Sequence, residues 1–287
     1  MAALRYFPDR ISVHSRRVYT AVVFLPFFFV LVQYLHPIAF LAFVLAGILL
    51  TQYEYYRFHA HRAWCVPLAI VGSLLSVWLG LSFYLGYQVP IPVGLAGIVA
   101  VVGIGCLLPR IGSRTRGLTD PIIILFGSAY IGWMLSHLIL LRGFECGIAL
   151  IFFVFLVTWV SDTAAYYVGS SFGTHKLAPQ ISPGKTIEGS VGGLVGSVMM
   201  VVIAKFGFMP WLDLEDCLIV GLLLGSVGQA GDLFESRLKR YAGVKDSGTI
   251  LPGHGGLLDR VDSLIFTVPV FYYYVMLIKG GTKEFCT

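Results

Sequence analysis

Long apolar runs, most of them about twenty residues, alternate with short polar segments along this chain. A helix needs about 20 residues to span a bilayer. That window predicts nine spans, at 18–35, 37–53, 66–86, 91–109, 121–141, 147–168, 189–209, 216–234 and 262–279. The first two meet at Leu35, His36 and Pro37, which predicts a tight helical hairpin. The eighth turns polar at Gln229 and Asp232, so an eight-span chain is the rival count. Only helices and closed barrels satisfy their own backbone in lipid, and barrel strands alternate in segments of about 10 residues. These runs do not alternate. The predicted fold is therefore an all-α polytopic integral membrane protein.

Composition agrees. The chain is 57% hydrophobic and 12% charged, with mean hydropathy +0.83, whereas soluble domains carry roughly a quarter charged residues. The cations then set the orientation, because cytoplasmic loops are enriched in Lys and Arg. With nine spans and the N-terminus inside, one side holds Arg5, Arg10, Arg16, Arg17, Arg57, Arg62, Arg110, Arg114 and Arg116. Lys176, Lys185, Arg237, Lys239, Arg240, Lys245 and Arg260 join them, and the far side keeps only Arg142, Lys205, Lys279 and Lys283. The predicted topology is N-terminus cytoplasmic, C-terminus outside. The basic N-terminal segment reads as an anchor for the first helix, since no small-residue cleavage site follows it. No CxxC pair occurs among Cys65, Cys106, Cys146, Cys217 and Cys286. They fit neither a zinc site nor a disulfide framework and read as ordinary small membrane residues. Gly189, Gly192, Gly193 and Gly196 have the spacing of close helix packing.

Two polar, glycine-rich loops fall on the predicted cytoplasmic side, at 169–188 and 235–261. The chain divides accordingly into N-terminal helices over 1–115 and a region bearing chemistry over 116–287. Asp162 lies in an apolar run, where an ionised carboxylate costs roughly 2.5–3.5 kcal/mol at midspan, so it predicts a site or a hydrogen-bonded partner. Thr158 and Tyr166, at i−4 and i+4, share its predicted face. Lys176 and Lys185 suit phosphate, and Ser182 and Thr186 add hydroxyls ahead of a helix whose free amides attract anions. Gly184, Lys185 and Thr186 do not form a P-loop, because that motif requires glycine at 179 and the chain has Pro179.

Residues 231–262, GDLFESRLKRYAGVKDSGTILPGHGGLLDRVD, concentrate the charge. Asp232, Glu235, Ser236 and Lys239 fall at 0, +3, +4 and +7, on one face of a helix extending the eighth span. Residues 251–256 (LPGHGG) break that helix, and their glycines let backbone approach a ligand. Asp259 and Asp262 are three apart at the mouth of the last span. Carboxylates gathered at a membrane boundary repel one another without a cation, and hard oxygen donors suit magnesium.

The run from Ser236 to Asp262, S-x-L-K-R-x4-K-D-x-G-x2-L-P-x-H-G-G-L-x-D-R-V-D, resembles the signature of the phosphatidate cytidylyltransferases (CDP-diacylglycerol synthases). The stretches SDTAAYYVG and ISPGKTIEGSVGG resemble that family too, so matching motifs cover 161–193 and 231–263. The first 150 residues add only hydrophobicity. The resemblance implies transfer of the cytidylyl group of CTP to phosphatidate, giving CDP-diacylglycerol and pyrophosphate. It also implies Mg²⁺ with K⁺ as a companion ion, no nucleic-acid partner, and a homodimer. On this resemblance catalysis is expected of Asp232, Lys239, Asp259, Arg260 and His254. Substrate binding is expected of Lys176, Ser182, Lys185, Thr186, Glu188, Ser236, Arg240, Lys245 and Asp246, with Glu188 and Asp246 orienting the cations. Metal binding is expected of Asp232, Asp259 and Asp262, with Asp162 and Glu235 as further candidates. A bacterial inner membrane, with the site facing the cytoplasm, is the expected location.

Two other classes compete. The CDP-alcohol phosphotransferase pattern DG-x2-AR-x8-G-x3-D-x3-D is absent. A transporter using Asp162 and Asp232 as coupling-ion sites would leave the polar 235–261 loop unexplained and lacks the internal repeats many transporters show.

Overall fold

The computed structural model describes residues 25–59, 65–87, 119–248 and 255–278, with positions 90, 92, 93, 96, 97, 99–101, 103, 104 and 250. The predicted N-terminal anchor, most of the predicted 91–109 span, Arg62, Arg110, Arg114, Arg116, His254, Lys279 and Lys283 lie outside the described residues. A helical run over 25–33 turns at 34–36 into α1, Pro37–His59, as the short hairpin spacing predicts. Then follow α2 (Cys65–Tyr84), α3 (Thr119–Gly127), a π-helical turn (Ser128–Trp133) and α4 (Met134–Arg142). The second half comprises α5 (Gly147–Phe172), β1 (Lys176–Ala178), β2 (Ser182–Thr186), α6 (Ile187–Gly207), α7 (Leu214–Tyr241) and α8 (Leu258–Ile278).

Six described segments are long and apolar enough to cross a bilayer: Pro37–Arg57, Pro67–Tyr84, Ile122–Arg142, Gly147–Phe172, Ile187–Gly207 and Leu214–Tyr241. The chain is an all-α polytopic integral membrane protein. One short antiparallel hairpin, β1–β2, lies between α5 and α6, with Lys176 opposite Thr186 and Ala178 opposite Ser182. Pro183 has no N–H to donate, which suits an edge strand but not a helix.

Lipid offers no hydrogen bonds, so small and hydroxyl residues hold the helices together. The α3–π–α4 rod is the most enclosed span, with 78% of its apolar window buried. Gln52 Nε2 donates to Ser76 Oγ at 2.6 Å, Tyr56 OH to the Ile124 carbonyl at 3.1 Å, and Ser128 Oγ to the Gly72 carbonyl at 3.0 Å. These bonds tie α1, α2 and the rod together. Gly132, inside the π turn, lets α2 approach closely: a Cβ there would come within 2.5 Å of Ser76 Cβ. In the second half, α5 packs along α6. A Cβ on Gly189 would lie 2.7 Å from the Ala165 carbonyl oxygen, and one on Gly192 2.6 Å from Val168 Cβ. The glycine spacing thus serves packing.

Chain direction puts the ends Arg57, Phe172, Ile187, Tyr241 and Leu258 at one face of the bundle, and Arg142, Gly147, Gly207 and Leu214 at the other. The basic loops collect on the first face. Cys146 lies on the second and is disulfide-bonded, a departure from the expectation for the cysteines; Cys217 is free and buried.

Candidate functional site

At 28 residues α7 is about 42 Å long at 1.5 Å per residue. It therefore carries Asp232, Glu235, Ser236 and Lys239 beyond its apolar portion on one continuous helix, as their spacing predicts. Its start is fixed by a capping box, in which Asp213 N donates to Asp216 Oδ2 at 2.8 Å. Beneath the polar end lies an aromatic floor. Tyr130 stands 5.5 Å from Phe234 and 5.9 Å from Phe266, and those two rings are 5.3 Å apart. Tyr130 is fully buried and within electrostatic reach of Glu235, Asp262 and Asp232, and a low-dielectric setting strengthens charge interactions.

A cleft of about 360 Å³ opens between α5, the hairpin, α6 and α7. Asp162, Tyr166, Ser182, Lys185, Gln229 and Asp232 line it. Lys185 Nζ meets Asp232 Oδ2 at 2.6 Å, and Ser236 Oγ donates to Asp232 Oδ1 at 3.4 Å. Asp162, Asp232, Glu235 and Asp262 are close enough to repel one another, and Lys185 and Arg260 offset the charge at Asp162. Thr158 turns away from Asp162 into the core, where its hydroxyl meets that of Thr267 at 3.3 Å.

Asp259 behaves differently from Asp262. Its carboxylate meets Lys239 Nζ at 2.6 Å and accepts from Ser247 N at 3.1 Å and Gly256 N at 3.2 Å. Lys239 also pairs with Glu235 Oε2 at 2.6 Å. One helical turn separates two aspartates with unlike tasks. Asp262 joins the acidic cluster, whereas Asp259 holds a buried ion triad and the loop before α8. Lys239 is enclosed by that triad rather than lining the cleft.

Several expected substrate ligands have structural partners. Thr186 caps α6, accepting from Gly189 N at 3.1 Å. Among the described residues Glu188 pairs with no lysine; it accepts from Thr174 N and Oγ1 and from His175 N, and its Oε1 lies 2.6 Å from His175 Nδ1. It thereby latches the hairpin to α6. Arg240 Nε donates to the Ile181 carbonyl at 3.2 Å and its Nη1 to Val244 O at 3.1 Å, so it ties α7 to the hairpin turn. Lys176, Lys245, Asp246 and Arg260 are exposed on this same face. Thr186→Ala is expected to cost about 1 kcal/mol, as for a lost N-cap, and to loosen the hairpin; a thermal midpoint in detergent reads it.

Gln229 and Glu54, which lie outside the motifs, also belong here. Gln229 accepts from Ser190 Oγ and donates to the Ser190 carbonyl at 3.0 Å, joining α7 to α6 at the cleft wall. Glu54, on α1, reaches Ser247 and Leu258. An acid at the end of an apolar run was the available signal for it.

Among the described residues no three His, Cys, Asp or Glu side chains stand in a coordinating arrangement. The donor chemistry nonetheless fits a hard divalent ion: Asp162, Asp232 and Asp262 are carboxylates crowded by like charge, and such oxygens suit magnesium.

The cytidylyltransferase family model matches residues 15–278. Two similar proteins are named phosphatidate cytidylyltransferase. The one from Staphylococcus saprophyticus is 46% identical over 155 residues, covering 53% of this chain and 57% of the relative. The one from Bacillus subtilis is 42% identical over 157 residues, covering 54% and 58%. An uncharacterized Escherichia coli protein is 42% identical over 154 residues, covering 54% and 51%. Each match thus spans little more than half of the relative's length.

Proposed function

The chain belongs to the cytidylyltransferase family, and on that premise we propose that it transfers the cytidylyl group of CTP to phosphatidate. The products are CDP-diacylglycerol and pyrophosphate. A phosphatidate oxygen attacks the α-phosphorus of CTP, a new P–O bond forms, and the bond to the β-phosphate oxygen breaks. The lipid phosphate is already nucleophilic at neutral pH, so no general base is needed. Charge neutralisation and alignment then carry the rate.

The observation supporting this most is the cleft at the membrane's polar boundary, lined by Asp162, Asp232 and Lys185 under the hairpin. A lipid phosphate at headgroup depth and a nucleotide from the aqueous side can both reach it. Lys185 leaves Asp232 to meet a phosphate, while exposed Lys176, Lys245 and Arg260 attract the second anion. Asp259, itself paired with Lys239, holds Ser247 and Gly256 in place ahead of α8. Mg²⁺ held by Asp162, Asp232 and Asp262 would neutralise the triphosphate and the departing pyrophosphate. The basic loops on the cleft face favour a cytoplasmic site, and the disulfide-bonded Cys146 on the far face fits an oxidising compartment there. The bacterial relatives favour a bacterial inner membrane.

The test is direct. The purified chain in lipid nanodiscs, given labelled CTP, is expected to form a lipid-soluble product only with phosphatidate and Mg²⁺ present, and to stop on addition of EDTA. Label appearing without phosphatidate, or no product under any condition, would overturn the reading.

A further inference from the structure

The N-terminal helices look like scaffold, yet α1 contributes one buried acid to the polar face. Glu54 is 1% exposed. Its Oε2 accepts from Ser247 Oγ at 3.1 Å and from Leu258 N at 2.9 Å. Leu258 opens α8, so the carboxylate sits where the free amides and dipole of that helix favour negative charge. Among the described residues its second oxygen, Oε1, is buried without a hydrogen-bond partner. Burying a carboxylate is costly, and an apolar span would not place one there for packing.

The opposing segment is shaped around it. A Cβ on Gly248 would come within 2.5 Å of Glu54 Oε1, and one on Gly256 within 2.8 Å of Oε2. Both glycines leave room for the carboxylate. The same segment is gripped from its other side, because Ser247 N and Gly256 N donate to Asp259. Ser247 is the shared point, giving its hydroxyl to Glu54 and its amide to Asp259. Asp259 in turn holds Lys239, and Asp262 follows one turn later on α8.

We infer that Glu54 is a positioning residue for the transfer reaction, whose carboxylate clamps Ser247 and the Leu258 start of α8 to α1 and fixes where Asp259 and Asp262 stand. This inference rests on the proposed function. Glutamine at 54 is nearly isosteric but removes the charge at the start of α8; its carbonyl oxygen can replace Oε2 toward Ser247 and Leu258 only by burying the amide N–H group at the Oε1 position without an acceptor. A misplacement of about 1 Å at a reacting centre can lower turnover about 10²-fold.

The experiment uses the 287-residue chain in nanodiscs as wild type, Glu54→Gln and Glu54→Asp, read by transfer kinetics and by hydrogen exchange. Glu54→Gln is expected to lower kcat about 10²-fold while KM for CTP changes little, because Glu54 touches no cleft residue. Amide exchange is expected to rise at Ser247, Gly256 and Leu258, with the amides of Thr174, His175 and Gly189 as protected as in wild type. Glu54→Asp keeps the charge with a shorter reach and is expected to recover part of kcat. Wild-type kcat in Glu54→Gln overturns the inference. So does loss spread over kcat, KM and exchange throughout the bundle with no recovery in Glu54→Asp, since that marks a merely structural acid. A wild-type protein that forms no CDP-diacylglycerol defeats the functional reading, and with it the catalytic part of the inference. The exchange pattern still reports whether the clamp exists.

Discussion

Asp232→Asn is expected to lower CDP-diacylglycerol formation about 10³-fold, the upper range for removing one preorganised electrostatic group. Asp232 is the meeting point of the cleft, in contact with Lys185 and Ser236 and within repulsive range of Asp162 and Asp262. Asparagine keeps the shape and loses the charge that would draw a cation toward triphosphate. The stability sign separates this from misfolding. Removing one of several crowded carboxylates relieves repulsion, so the thermal midpoint is expected to stay or rise, as in other exchanges of function for stability. Glu145→Gln, on the exposed far-face loop, serves as the control and is expected to keep wild-type turnover. An Asp232→Asn protein that turns over like wild type removes Asp232 from the site.

The sequence pattern carried the membrane fold because lipid imposes one strong rule on it. Twenty apolar residues must become a helix, and helix geometry then puts Asp232, Glu235, Ser236 and Lys239 on one face. Local periodicity says nothing about partners far along the chain, and that is where the expectations thinned. The Lys239–Asp259 pair joins positions 20 apart across a loop, so spacing alone grouped Asp259 with Asp262 instead. Thr186 suits a phosphate ligand because its hydroxyl precedes a helix whose free amides attract anions, and the resemblance assigns Glu188 to orienting the cations. Folding uses both for the hairpin and the cap. Glu54 lies 193 residues from Ser247. Only tertiary packing could disclose that pair, although a lone carboxylate in an apolar run is itself a reason to look.

Lys239→Met is expected to cost about 3–5 kcal/mol of stability, the range for stripping one partner from a buried ion pair. Glu235 is fully buried at 0% exposure, and Lys239 is its ion-pair partner at 2.6 Å. Without that cation its carboxylate is left alone in an apolar setting, and Asp259 keeps, among the described residues, its two backbone donors. The same logic predicts that a second change reverses part of the first. Adding Glu235→Gln to Lys239→Met removes the stranded charge, so the double variant is expected to be more stable than Lys239→Met alone. Thermal midpoints of the four proteins in one detergent close the double-mutant cycle. Additive losses would mean that Glu235 and Lys239 do not share a buried pair. Turnover should separate from stability here. The double variant regains its fold but still lacks the ammonium that holds Asp259, so its transfer rate is expected to stay low. A triad that only stabilised the protein would let rate and midpoint recover together.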